Sequence, residues 1–115
     1  SLVESKDDSA KDILFVKANS RLVKVLLKDI YYVEALKDYV IINTQYARYT
    51  VHSTMKDIEK KLGTIEFIRV HRSFIVPVSK VESIRNKTIR IGEATIPIGA
   101  SYEDIFMERM SGQSK

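Results

Sequence analysis

Apolar and polar residues alternate over short runs along most of the chain, and turn-forming residues separate these runs. Val, Ile, Leu, Phe and Tyr at every second position are typical of strands that bury one face. The pattern predicts strands over residues 13–17, 21–27, 30–35, 39–44, 48–52, 81–85, 88–91 and 94–98, and two further apolar runs within residues 67–78. Many short strands with few helices predict a mostly β fold and argue against an alternating α/β layout.

The spacing of apolar residues changes to a helical period in two places. Residues 53–62 have apolar side chains on one face, a Thr54–Asp57 pair that resembles a capping box, and Gly63 at the position of a C-terminal cap. A second helix is predicted over residues 101–110, where four apolar residues share a face: Tyr102, Ile105, Phe106 and Met110. The prediction is therefore one short central helix and one short C-terminal helix.

The same pattern divides the chain into three parts. Residues 1–12 are polar and aperiodic, so they cannot bury enough surface to offset their ordering entropy and are predicted to be a linker. Residues 13–110 are long enough for one domain with a core, and residues 111–115 are predicted to be a flexible tail. The first residue is Ser instead of Met, which favours a piece of a longer protein with a neighbouring domain.

Several kinds of site are absent from the sequence. There is no Cys, and two isolated histidines cannot supply a metal set, so neither a disulfide framework nor a metal site is expected. There is no Gly-rich phosphate loop and no nucleophile with a base at a recognisable spacing, so we expect neither enzyme activity nor a cofactor. No apolar run approaches the ~20 residues of a membrane helix and the start does not resemble a signal peptide, which predicts a cytoplasmic protein.

The net charge of +4 hides an asymmetry between the linker and the rest of the chain. The linker has two Lys and four acidic residues, which leaves 17 basic and 11 acidic residues for the remainder. A basic folded part favours a polyanionic partner such as nucleic acid, although many soluble domains have a similar charge.

The residues from Arg69 to Ser73 form a basic, hydrogen-bonding segment between two apolar runs. The apolar runs can enter a core while this segment stays at its rim, which is how a rigid scaffold presents polar groups to a partner. Two guanidiniums and an imidazole suit phosphate oxygens and guanine edges, whereas catalysis would need further acid or base partners. We therefore predict a contact element and not an active site.

Four blocks of the sequence follow one another in a characteristic order. They are Ile30 to Val40 (IYYVEALKDYV), Met55 to Leu62 (MKDIEKKL), Phe67 to Val76 (FIRVHRSFIV) and Ile96 to Tyr102 (IPIGASY). In this order and spacing they resemble the LytTR DNA-binding domain of bacterial response regulators, over roughly residues 13 to 110. The resemblance implies small antiparallel β-sheets with a short helix. It also implies sequence-specific binding of double-stranded DNA by inter-strand loops that enter successive major grooves.

The resemblance implies contact residues in three loops. The expected DNA-binding residues are Lys37 and Tyr39 in the first loop, Arg69, His71, Arg72 and Ser73 in the second, and Ala100 and Ser101 in the third. Many family members have an Arg in the third loop, where this chain has Gly99-Ala100. The resemblance also implies an N-terminal receiver domain in the full-length protein. We expect the isolated domain to be a monomer and two copies to bind paired DNA sites.

Alternatives remain for individual residues and for the function. Tyr39 also fits the first core residue of its strand, and His71 fits a structural hydrogen-bonding role better than base reading. The alternative function is a β-rich protein-interaction module that uses exposed strand edges and does not bind DNA. Basic residues outnumber acidic ones in the expected loops, and this balance favours phosphate over a generic partner.

Overall fold

The computed structural model describes residues 12–113, so residues 1–11 of the predicted linker and residues 114–115 of the predicted tail lie outside the described part. The described residues form ten strands and two α-helices in this order: β1 (Ile13–Ala18), β2 (Arg21–Leu26), β3 (Ile30–Leu36), β4 (Tyr39–Thr44), β5 (Arg48–Val51), α1 (Met55–Leu62), β6 (Phe67–His71), β7 (Phe74–Pro77), β8 (Ser83–Arg85), β9 (Thr88–Ile91), β10 (Ala94–Pro97) and α2 (Ala100–Gln113). Short 3-10 turns at Leu27–Asp29 and Val78–Lys80 link β2 to β3 and β7 to β8. The mostly β prediction is confirmed.

The strands of the described part build two antiparallel sheets. The first sheet has seven strands in the order β2-β1-β5-β4-β3-β7-β6, and the second has three in the order β10-β9-β8. Most neighbours are consecutive strands joined by short turns. Within the seven-stranded sheet, two further pairings join the hairpins to one another. These are the pairings of β1 with β5 and of β3 with β7. The β3–β4 hairpin therefore lies next to the β6–β7 hairpin, although the two come from different parts of the chain.

Side chains of the seven-stranded sheet enter two separate cores. Val33 and Ile75 belong to the first core, which α1 covers. Val76 belongs to the second core, together with Ile89 of the three-stranded sheet and Phe106 of α2. Consecutive residues of a strand point to opposite faces, so β7 contributes Ile75 to one core and Val76 to the other. Coverage on both faces makes the centre of this sheet a rigid support for the turns at its edge.

The central helix α1 begins and ends where the sequence predicts. The Thr54 hydroxyl accepts a 3.1 Å hydrogen bond from the Asp57 N–H, which satisfies a free donor of the first turn. At the other end Gly63 has a φ of 79°, and its N–H donates to the Glu59 carbonyl at 3.0 Å. Both predicted caps are confirmed.

Tight turns close the hairpins that lie at one end of the large sheet. Asn19 and Ser20 have φ values of 54° and 64°, the conformation of turns that match the twist of the flanking strands. The predicted loop tip Lys37-Asp38-Tyr39 is one residue shorter in the structure, because Tyr39 is already paired with Leu36. The first loop is therefore a two-residue turn followed directly by a strand.

The C-terminal helix α2 differs from its prediction in length and in the face that it buries. It begins at Ala100 and ends at Gln113, whereas the sequence predicts a helix over residues 101–110. Phe106 is fully buried, whereas Ile105 is 63% exposed although both were predicted on one face. Neighbouring helical residues point about 100° apart, so Ile105 turns outward when Phe106 fills the core.

Candidate nucleic-acid interface

The turns that follow β3 and precede β7 lie side by side at one edge of the seven-stranded sheet. Glu34 of β3 is the partner of Phe74 in β7, and the two strands are antiparallel, so the end of β3 meets the start of β7. The Ala35 N–H donates a 2.8 Å hydrogen bond to the Ser73 carbonyl. The first and second predicted loops are therefore neighbours.

The first loop presents a cation, an acid and an aromatic ring to solvent. Lys37 and Asp38 are exposed, and Lys37 has a φ of 56°. Tyr39 is 46% exposed and is not a core residue, although it begins a strand. Its ring packs against the His52 ring with centroids 5.2 Å apart. The tyrosine is thus held by a neighbour and still accessible.

The second loop has an internally bonded backbone and a free arginine side chain. The Ser73 N–H donates to Nδ1 of His71 at 3.1 Å, and the His71 ring lies 5.6 Å from that of Phe74. The predicted structural role of His71 is consistent with these contacts. Arg72 is exposed, and its guanidinium makes no hydrogen bond or ion pair with residues 12–113. This loop therefore offers one unpaired cation on a fixed turn.

Arg69 points into the protein instead of towards solvent. Its guanidinium donates to the Arg72 carbonyl at 2.7 Å and forms a 3.3 Å ion pair with Glu59 of α1. It also lies over the ring of Tyr102 in α2, 5.9 Å from the centroid. These interactions hold the second loop, and the DNA contact expected of Arg69 from the sequence stays a prediction. Its partners Glu59 and Tyr102 are distant in sequence, so no local pattern could have indicated this role.

The third predicted segment packs against the second loop. The Gly99 N–H donates to the Val70 carbonyl at 2.7 Å, and a side chain at Gly99 would come within 3.5 Å of the His71 ring. The next two residues, Ala100 and Ser101, are exposed in the first turn of α2 instead of in a loop. We refer to residues 37–39, 71–73 and 99–101 together as the loop edge. Lys37 and Arg72 are the two cations of this edge that form no ion pair with residues 12–113.

Two further segments reach this edge that sequence reasoning did not assign to it. Val51 of β5 is paired with Val40 of β4 and with Ala18 of β1, so the ends of these strands are aligned. His52 and the Asn19-Ser20 turn therefore lie beyond Tyr39 along the same edge. The predicted β4–β5 hairpin could have indicated that His52 lies near Tyr39, because the end of β5 lies beside the start of β4. The pairing of β1 with β5 joins segments that are distant in sequence, so no sequence pattern indicated it.

Two kinds of feature are absent among the described residues. No group of three or more His, Asp or Glu side chains among residues 12–113 could hold a metal ion. No helix in the same range is long and apolar enough to cross a membrane.

Known proteins with similar sequences include bacterial proteins that are named sensory transduction proteins. "Sensory transduction protein LytT" of Bacillus cereus is 38% identical over 87 residues, which cover 70% of this chain and 35% of that protein. The protein of the same name from Bacillus subtilis is 33% identical over 109 residues, which cover 88% of this chain and 45% of that protein. The chain therefore spans less than half the length of these relatives.

A similar solved structure and a family model point to the same fold. The LytTr DNA-binding domain of a putative methyl-accepting/DNA response regulator from Bacillus cereus superposes with a TM-score of 0.73 at 24% identity, covering 84% of this chain and 94% of that one. The family model "LytTr DNA-binding domain" matches residues 20–111. The chain belongs to the LytTr DNA-binding domain family.

Proposed function

We propose that the loop edge binds double-stranded DNA sequence-specifically, as the output domain of a transcriptional response regulator. The observation that carries this proposal is that three separate segments of the chain meet at one edge of the sheet, where Lys37 and Arg72 are exposed and unpaired. Two-residue turns and a helix start can enter a groove without a recognition helix. Membership of a DNA-binding domain family favours this function over the alternative protein-interaction module.

Arg72 is the residue to which we assign base reading. A guanidinium can donate two hydrogen bonds to O6 and N7 of a guanine, which is the commonest specific contact in the major groove. The turn that carries it is fixed by hydrogen bonds to the side chains of His71 and Arg69, so its backbone loses little conformational freedom on binding. Tyr39 is the second candidate, since its hydroxyl and ring are accessible beside Lys37. We assign Lys37 to a phosphate, because a flexible ammonium acts as a point charge.

We assign positioning roles to the partly buried members of the second loop. His71 accepts from the Ser73 N–H and supports the packing of Gly99, and Arg69 holds the Arg72 carbonyl. In the third segment the Ala100 side chain has no group that could hydrogen-bond to a base edge. The Ser101 hydroxyl and the N–H groups of the first turn of α2 suit a phosphate oxygen.

The wider architecture of the protein is also part of the proposal. Relatives named sensory transduction proteins are more than twice as long as the matched region. We propose that a receiver domain precedes this domain, that the isolated domain is a monomer, and that two copies bind paired half-sites. With chromosomal DNA as its partner, the protein acts in the cytoplasm by binding and without a catalytic step.

Selection of bound oligonucleotides from a random duplex pool tests this proposal. The expected result is a short enriched sequence that the domain binds at least about 1,000-fold more tightly than random duplex. The enriched bases should lie in successive major grooves on one face of the duplex. A pool that shows no enrichment after repeated rounds, with folded protein, would contradict sequence-specific binding.

A further inference from the structure

A second group of hydrogen-bond donors lies beside the loop edge, on strands that the three loops do not use. Val51 of β5 is paired with Ala18 of β1 and with Val40 of β4. This register brings the turn after β1 and the residue after β5 next to Tyr39. The edge that faces the proposed partner therefore continues past the first loop.

These segments enclose an open hollow of about 430 Å³. Its lining residues are Lys17, Asn19, Ser20, Tyr39, Thr50 and His52. Each of these side chains can donate a hydrogen bond, and Lys17 adds a formal positive charge. Of the described residues that line the hollow, none is acidic. A site made of donors without a competing carboxylate suits an anion with several acceptor oxygens.

The charge of the lining distinguishes this hollow from its larger neighbour. The neighbouring hollow, of about 550 Å³, lies between the first loop and the start of α1. It includes Lys37 together with Asp38 and Asp57, so its lining has one cation and two acidic residues, whereas the smaller hollow has one cation and no acidic residue. Tyr39 and His52 line both hollows and form the wall between them. The hollow on the β1 side of Tyr39 is therefore a second place for an anion, in addition to the phosphate that we assign to Lys37.

We propose that the hollow lined by Lys17, Asn19 and Thr50 binds a backbone phosphate of the DNA that the loop edge contacts. This inference rests on the proposed function and extends the contact surface to β1 and β5. Strand β1 lies two strands from β4, about 10 Å along the edge at ~4.8 Å per strand. That distance is about three base-pair steps of ~3.4 Å. The phosphate therefore flanks the base pairs that Tyr39 faces.

Single neutral phosphates in the selected duplex test this assignment directly. A set of duplexes, each with one methylphosphonate at a different position, is titrated with the wild-type domain and with Lys17→Gln. Lys28→Gln is the matched control, because Lys28 is an exposed lysine of the Leu27–Asp29 turn at the opposite end of β2. Equal thermal unfolding of the three proteins establishes that neither substitution disturbs the fold.

The expected result is one flanking phosphate whose neutralisation weakens the wild type and Lys28→Gln but leaves Lys17→Gln unaffected. Lys17→Gln should also lose about one unit of salt slope, so its defect shrinks about 3.5-fold between 50 and 200 mM salt. Equal affinities, salt slopes and methylphosphonate profiles for the two variants would overturn the inference. If Arg72→Ala still weakens binding to the selected duplex in that case, only this inference fails. If no duplex is selected at all, the proposed function fails with it.

Discussion

The guanidinium of Arg69 donates a 2.7 Å hydrogen bond to the backbone carbonyl of Arg72. One arginine of the second loop thereby holds the main chain of the other, whose side chain stays exposed. Arg69 is itself fixed by the carboxylate of Glu59 in α1 and by the ring of Tyr102 in α2. Both helices therefore support the turn that we assign to base reading, although we assign neither of them to the DNA groove as a recognition helix.

Glu59→Gln tests whether this support matters for binding. Loss of an acid raises the net charge by one, so electrostatics alone would strengthen DNA binding. We expect binding to the selected duplex to weaken instead by up to about fivefold, because an ion pair of this exposure contributes up to about 1 kcal/mol. Glu93→Gln, at an exposed turn of the three-stranded sheet, is the control and should bind as well as the wild type or better. Equal affinities for the two variants would rule out that the Glu59–Arg69 ion pair positions the second loop for binding.

Phe106→Ala and Ile105→Ala form a matched pair for the orientation of α2. Phe106 is fully buried in the second core and Ile105 is 63% exposed. Truncation of a buried Phe should lower the free energy of unfolding by about 3 to 5 kcal/mol, and truncation of Ile105 by less than about 0.5 kcal/mol. Urea unfolding of both variants measures the difference. Similar losses would mean that α2 packs in another orientation.

Salt dependence tests the electrostatic part of the proposal. If about 4 to 6 phosphates are neutralised, the slope of log K against log salt should be about −4 to −5. Lys37→Ala should weaken binding to selected and random duplexes alike and reduce the slope by about one unit. Lys61→Ala is the control, because this exposed lysine lies at the far end of α1 from the first loop. A wild-type slope near zero would exclude this mode of binding.

The isolated domain should be a monomer in solution. Neither helix of the described residues has the long apolar stripe that a coiled-coil interface requires. Paired half-sites should then raise the apparent affinity by joining two binding events on one duplex. Light scattering without DNA measures the state directly, and a stable dimer at micromolar concentration would argue against the prediction.

The sequence predicted the elements of the fold because their signals are local. Alternation marks the strands, and the Thr54 and Gly63 caps mark the ends of α1. The sequence placed the first loop at Lys37-Asp38-Tyr39, which is one residue too long, because the strand pairing of Tyr39 with Leu36 is not encoded in composition. Ile105 was assigned to the buried face, but it is exposed and Phe106 is buried. The sequence cannot tell which of two adjacent apolar residues of a short helix is buried, because that depends on the core residues that the helix packs against.

The candidate site was less predictable because it depends on contacts between distant segments. The direction of Arg69 follows from Glu59 and Tyr102, which lie on different helices. The flanking apolar runs predict that Arg69 lies at the rim of the core, but only the packed structure shows that its guanidinium contacts Glu59 and Tyr102. The hollow beside Tyr39 requires the pairing of β1 with β5, which no motif marks.

Arg72→Ala, measured on the selected duplex and on random duplex, tests the central claim most directly. The substitution keeps the backbone carbonyl that Arg69 holds, and Arg85→Ala, at an exposed arginine of β8, is the matched control for loss of one charge. We predict that Arg72→Ala weakens binding to the selected duplex by about 1 to 3 kcal/mol and changes binding to random duplex little, so that discrimination relaxes. Loss of the same factor on both duplexes would make Arg72 a phosphate contact and contradict its assignment to base reading.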